Sequence, residues 1–96
     1  MGLEGPAAGQ HFPIGGGVLI GREPSQAQVI VQDGQVSATH VWIGPAGGRL
    51  VARDVGSTNG TFLNGRMDQR VTEVALNDRD VLTLGGRGSV KFQVVF

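Results

Sequence analysis

Seventeen glycines and four prolines are spread through 96 residues, and that spread limits the chain to short elements. Glycine weakens a helix interior and reaches positive φ freely, while proline removes a backbone donor. What remains are brief apolar runs separated by turns, the pattern of many short strands. Val18-Leu19-Ile20 runs into Gly21-Arg22, and Val29-Ile30-Val31 is closed by Asp33-Gly34. His40 to Ile43 alternates around Trp42, which places the indole in the core, and Pro45 to Gly48 is expected to turn the chain. Leu50 to Asp54 is a further strand, followed by a turn at Gly56 to Gly60. Thr61-Phe62-Leu63 leads into Asn64-Gly65, a pair that tolerates positive φ at both central positions of a tight hairpin turn.

Three segments are less regular. Residues 1–9 are small and turn-prone and are expected to form an irregular N-terminal segment ahead of a domain at 10–96. His11 to Ile14 is an edge-strand candidate, since Pro13 excludes a central position. Arg66 to Leu84 lacks glycine and proline, and Val71, Val74 and Ala75 would suit one helical face. Leu76 to Val81 nevertheless reads as a turn between strands, so this region is assigned to strands. Lys91 to Phe96 closes the chain as another strand. The sum is roughly nine or ten short strands, an all-β sandwich.

The length suits one domain with a modest core, without room for a separate catalytic lobe. Eight basic and eight acidic residues cancel, so no global field draws the chain to nucleic acid or an anionic membrane, and anion recognition must be local. There is no cysteine, and His11 and His40 are the only histidines, which excludes a disulfide framework or a thiolate zinc site and implies neither metal nor cofactor. No apolar stretch reaches membrane-spanning length, and the N-terminus carries no signal-peptide core. The expected location is the cytoplasm.

Three polar segments stand at turns between the apolar runs: Gly21-Arg22, Ser37-Ala38-Thr39-His40 and Ser57-Thr58-Asn59-Gly60-Thr61. One arginine, hydroxyl residues and a side-chain amide on loop tips are the donors an anionic ligand needs. A guanidinium fork meets phosphate oxygens two at a time, and hydroxyls fill remaining lone pairs.

Together with Asn64-Gly65 and the run Leu76-x-Asp78-x-Asp80-Val81-x-x-Leu84-Gly85, the ordered set resembles a forkhead-associated (FHA) domain over residues 11 to 96. The resemblance implies an FHA-like β-sandwich of two sheets and eleven strands, whose loops at one end hold a threonine-phosphorylated peptide. Arg22 would then supply the main charge-assisted contact to the phosphate. Ser37 would donate its hydroxyl, Thr58 would support the phosphate from the neighbouring loop, and Asn59 would bond the ligand's main chain. Gln35 would lie near ligand positions beyond the phosphothreonine. Gly21 and Gly60 would permit close or strained backbone, and His40 would brace the loops without touching ligand. The chain departs from the family in two places. Ala38 stands where the family often has Arg or Asn, so one phosphate-directed side chain is lacking, and the first strand is expected to be missing or irregular.

The resemblance points to a non-enzymatic phosphothreonine-dependent interaction module in serine/threonine kinase signalling. A phosphate-independent FHA-fold interaction or scaffolding domain is the alternative, and Ala38 favours it. Without the resemblance, turn capping explains Ser37 and Thr58 about as well as phosphate contact, Arg22 reads as a solvated surface residue, and Asn64 has a turn role only. A hydrolase built from Ser37, His40 and Asp54 is a weaker reading, because Ser37 lacks the Gly-x-Ser-x-Gly elbow.

Overall fold

The computed structural model describes residues 2–4, as backbone, together with 11–88 and 90–96. Nine strands are described: β1 (Gly2–Glu4), β2 (Val18–Gly21), β3 (Val29–Ile30), β4 (Val41–Ala46), β5 (Arg49–Asp54), β6 (Thr61–Leu63), β7 (Glu73–Ala75), β8 (Val81–Leu84) and β9 (Lys91–Gln93). They form a four-stranded sheet in the order β1-β9-β8-β6 and a five-stranded sheet in the order β3-β2-β4-β5-β7. All pairings are antiparallel except β2 with β3.

Alternation sets which face is buried. Register aligns Val18 with Ile43 and Ala52, and Ile20 with Val41, on one face of the five-stranded sheet. These side chains join Leu82, Leu84 and Phe92 of the other sheet in one buried cluster. Val31, Val36, Leu76, Val90 and Val94 complete the cluster from outside the strands. Because the residues that close the sandwich sit in its loops, the core holds the loop ends in place.

Several expectations change. His11 to Ile14 is not a strand: Phe12 and Ile14 lie half-buried against the core, with the Phe12 ring 6.3 Å from that of Phe92. Burial of these two side chains, with Pro13 between them, replaces ladder pairing. Pro45 does not turn the chain but lies inside β4 opposite Leu50, and the turn falls on Gly47 and Gly48, with φ of 60° and 78°. Two successive positive φ values make the primed hairpin turn whose twist suits antiparallel strands. Asn64 and Gly65 also have positive φ, 51° and 77°, but β6 pairs with β8 and not with the next strand, so this turn redirects the chain between sheets. Asn64 has a further role, since its amide donates to Asp80 and its carbonyl accepts from the Val81 N–H.

Trp42 is half-buried on the outer face and is not in the core. Register sets it between Leu19 and Arg53, with Glu73 beyond. The Arg53 guanidinium lies 5.2 Å from the ring centre and is held by Glu73 at 2.6 Å. Period-two alternation gives the spacing of inward residues but not which parity faces in. Strand β1 lies in the segment expected to be irregular; it pairs with β9, and its register shifts between Gly2 and Glu4. The boundary expected between residues 9 and 10 lies outside the described residues.

Candidate functional site

The loops 22–28, 31–40 and 55–60 gather at one end of the sandwich, bringing Arg22, Ser37, Thr58 and Asn59 together through backbone and side-chain bonds. Strand β2 ends at Gly21, whose peptide oxygen accepts from the Val31 N–H at 2.8 Å. Beyond it the Arg22 N–H donates to the Ser37 oxygen at 2.9 Å and the Glu23 N–H to the Ala38 oxygen at 3.2 Å. A Cβ at position 21 would stand 2.1 Å from that Ala38 oxygen. Gly21 is therefore required by a close approach between two backbones. The exposed Arg22 guanidinium makes no hydrogen bond or ion pair among the described residues.

His40 is fully buried and ties loop 31–40 to loop 55–60. Its Nδ1 accepts the Ser37 N–H at 3.1 Å, which requires that nitrogen to be unprotonated. The proton therefore sits on Nε2, which donates to the Gly60 oxygen at 2.8 Å. Burial holds its pKa below the ordinary histidine value; the Gly60 bond and the Asp54 charge oppose the shift, and Arg70 adds to it. A neutral imidazole is what the two bonds need. The Gly60 oxygen also accepts from the Gly85 N–H at 2.8 Å.

Ser37 Oγ accepts the Thr58 N–H at 2.9 Å. The hydroxyl's own proton remains available for a second acceptor. Thr58 is exposed beside it. The Asn59 amide donates to the Gln35 oxygen at 3.2 Å, which ties loop 55–60 to loop 31–40 and leaves the Asn59 carbonyl as an acceptor. Gln35 is half-buried and packs against the position where Gly85 would carry a Cβ. Ala38 is exposed and shares a cleft with Arg22, Glu23, Pro24 and Gln32.

Beneath Thr58 and Asn59 lies a support that the motif reading missed. The Asp54 carboxylate accepts from the N–H groups of Gly56 and Ser57, at 2.9 and 2.8 Å, from the Ser57 hydroxyl, and from Thr61 Oγ1 at 2.8 Å. Partial burial pushes its pKa up, but these bonds together outweigh burial and hold it below the ordinary carboxylate value. Asp54-x-Gly56-Ser57 is an Asx-type turn, a signal present in the sequence. Arg70 donates to the Ser57 oxygen at 2.8 Å, and its Nε would lie 2.8 Å from a Cβ at Gly60, where φ is +90°. No local pattern marks Arg70, because it reaches the loop from thirteen residues away.

Ser37, His40 and Asp54 do not form a relay. His40 uses both ring nitrogens on backbone groups, and Asp54 serves Gly56, Ser57 and Thr61. Among the described residues no helix is long and apolar enough to cross a membrane.

Comparison with known proteins agrees with this geometry. A family model described as the FHA domain matches residues 18–85. An FHA domain-containing protein of Arabidopsis thaliana is 32% identical over 90 residues, 92% of this chain; the chain spans 23% of that protein's length. Among solved structures, the FHA domain of an Arabidopsis thaliana hypothetical protein superposes with a TM-score of 0.84 at 30% identity. It covers all of this chain and 81% of its own. A structure described as a structural and functional analysis of phosphothreonine-dependent FHA domain interactions has a TM-score of 0.68 and 34% identity. That match covers 84% of this chain and 78% of the other.

Proposed function

The chain belongs to the FHA domain family, and from that premise we propose that it is a phosphothreonine-dependent protein-interaction module. The observation that carries the reading is the arrangement around Ser37. Its oxygen is engaged by the Thr58 N–H, its N–H by His40, and its carbonyl by the Arg22 N–H. A hydroxyl proton, an exposed guanidinium and an exposed threonine thus stand on loops that are already locked. Preorganised donors cost little ordering when an anion arrives. A phosphate near neutral pH brings roughly −1.5 to −2 charges and strong acceptors.

In this reading Arg22 grips the phosphate, Ser37 and Thr58 fill remaining oxygens, and Asn59 holds the ligand backbone with its free carbonyl. Gln35 faces ligand residues beyond the phosphothreonine, and Gly21, His40 and Gly60 fix the frame. The partner is a threonine-phosphorylated protein in a serine/threonine kinase pathway, met in the cytoplasm, and the domain catalyses nothing itself. Support for a phosphothreonine ligand comes from the phosphothreonine dependence described for a relative at 34% identity.

Calorimetry with a library-selected phosphothreonine peptide and its unphosphorylated twin tests the proposal. Wild type binds the phosphorylated form only, and Arg22→Ala loses it while melting normally. Truncating one partner of a desolvated charge pair costs roughly 2–5 kcal/mol. Equal affinity for the two peptides favours the scaffolding alternative, which draws its one supporting observation from the short side chain of Ala38.

A further inference from the structure

Ala38 leaves open a cleft beside Arg22, and a side chain from another loop occupies its wall. The cleft is lined by Arg22, Glu23, Pro24, Gln32 and Ala38. Gln32 comes from the segment after β3, where Val31 is pinned to the Gly21 oxygen, so its backbone runs beside that of Arg22. Its Nε2 donates to the Arg22 oxygen at 3.3 Å. A primary amide has two N–H groups, and the second has no partner among the described residues.

We infer that Gln32 is a further ligand-binding residue, an amide donor to the phosphate that takes the place of the side chain lacking at Ala38. The inference rests on the phosphothreonine reading above and names one more residue of that site. Three observations converge on it. The exposed amide lines the same cleft as Arg22, whose guanidinium has no partner among the described residues. Ala38 lines that cleft too, and its methyl side chain brings no polar atom to it. The bond to the Arg22 oxygen holds the amide next to the residue that grips the anion. A neutral amide adds a donor without a second desolvated charge, and hydrogen bonds to an ionised acceptor are stronger than neutral ones.

The test is a double-mutant cycle between positions 32 and 38, measured by calorimetry with the library-selected phosphothreonine peptide, its unphosphorylated twin and Arg22→Ala as control. Gln32→Ala is expected to weaken the phosphorylated peptide about three- to tenfold, as loss of one net hydrogen bond does. Ala38→Arg is expected to restore most of that loss in the Gln32→Ala background and to add less to wild type. Gln32→Lys keeps a donor and is expected to hold affinity at low salt, with a steeper salt dependence. It serves as the decisive variant should Gln32→Ala melt early. Wild-type affinity in Gln32→Ala, equal gains from Ala38→Arg in both backgrounds, or a loss in Gln32→Lys as large as in Gln32→Ala would each overturn the role of Gln32. In those cases Arg22→Ala still abolishes binding and the phosphate site stands. Equal binding of the twin peptides by wild type overturns the site and Gln32 with it.

Discussion

Replacing His40 by alanine separates bracing from ligand contact, and the structure sets the size of the effect. The imidazole is fully buried and holds two backbone groups, the Ser37 N–H and the Gly60 oxygen. The Gly60 oxygen keeps its bond from Gly85 when the ring is gone, so only the Ser37 N–H is orphaned. One buried unsatisfied donor costs about 1–3 kcal/mol, and the space left by the ring adds a cavity cost of roughly 2 kcal/mol, the low end for large-to-alanine changes. The sum is about 3–5 kcal/mol, against a total stability of about 5–15 kcal/mol for a domain. At roughly 4–8 °C per kcal/mol for a chain of this size, melting should fall by at least about 12 °C. Urea titration followed by tryptophan fluorescence of Trp42 is a direct assay, with an unchanged slope and a lower midpoint expected. Phosphopeptide binding should weaken as well, since Ser37 loses its anchor. A variant that melts like wild type but no longer binds would show that His40 touches ligand, and the bracing argument would fail.

The lowered pKa of His40 predicts acid sensitivity. Above the ordinary histidine value of 6.5 both folded and unfolded chains hold a neutral ring, and the group adds no pH dependence. As pH falls below that value the unfolded chain takes up a proton that the folded ring resists, so stability declines until the lowered folded value is passed. Asp54 acts in a separate window: its stabilisation is present above 3.8 and is lost as pH falls through its depressed folded value. Denaturation midpoints across pH check both, and a flat profile between pH 7 and 5 would contradict the His40 assignment. Gly21→Ala should destabilise by roughly 1–3 kcal/mol through overpacking, because its Cβ would meet the Ala38 backbone; a wild-type melting curve would refute that contact. Phosphothreonine should bind about fourfold more tightly than phosphoserine in the same peptide, from one buried methyl worth roughly 0.8 kcal/mol. Equal affinities would show that the site leaves this methyl exposed.

The two-sheet all-β plan was legible in the sequence because its causes are local. Glycine and proline set where strands stop, and runs of β-branched and aliphatic residues such as Val29 to Val31 and Val81 to Leu84 mark the interior. The loop residues Arg22, Ser37, Thr58 and Asn59 were legible because order and residue type along the chain carry the resemblance. Facing and partnership were decided only by the tertiary structure. Trp42 sits on the outer face, where register pairs it with Arg53 and Arg53 in turn with Glu73, and no property of β4 alone distinguishes its two faces. The turn at Asn64-Gly65 is local, but the choice of β8 as partner of β6 depends on strands distant in sequence. Arg70 and Gln32 acquire their roles by reaching across loops to backbone groups at Ser57 and Arg22. Backbone donors and acceptors look alike in every sequence, and which of them a side chain can reach is set by the packing of the two sheets.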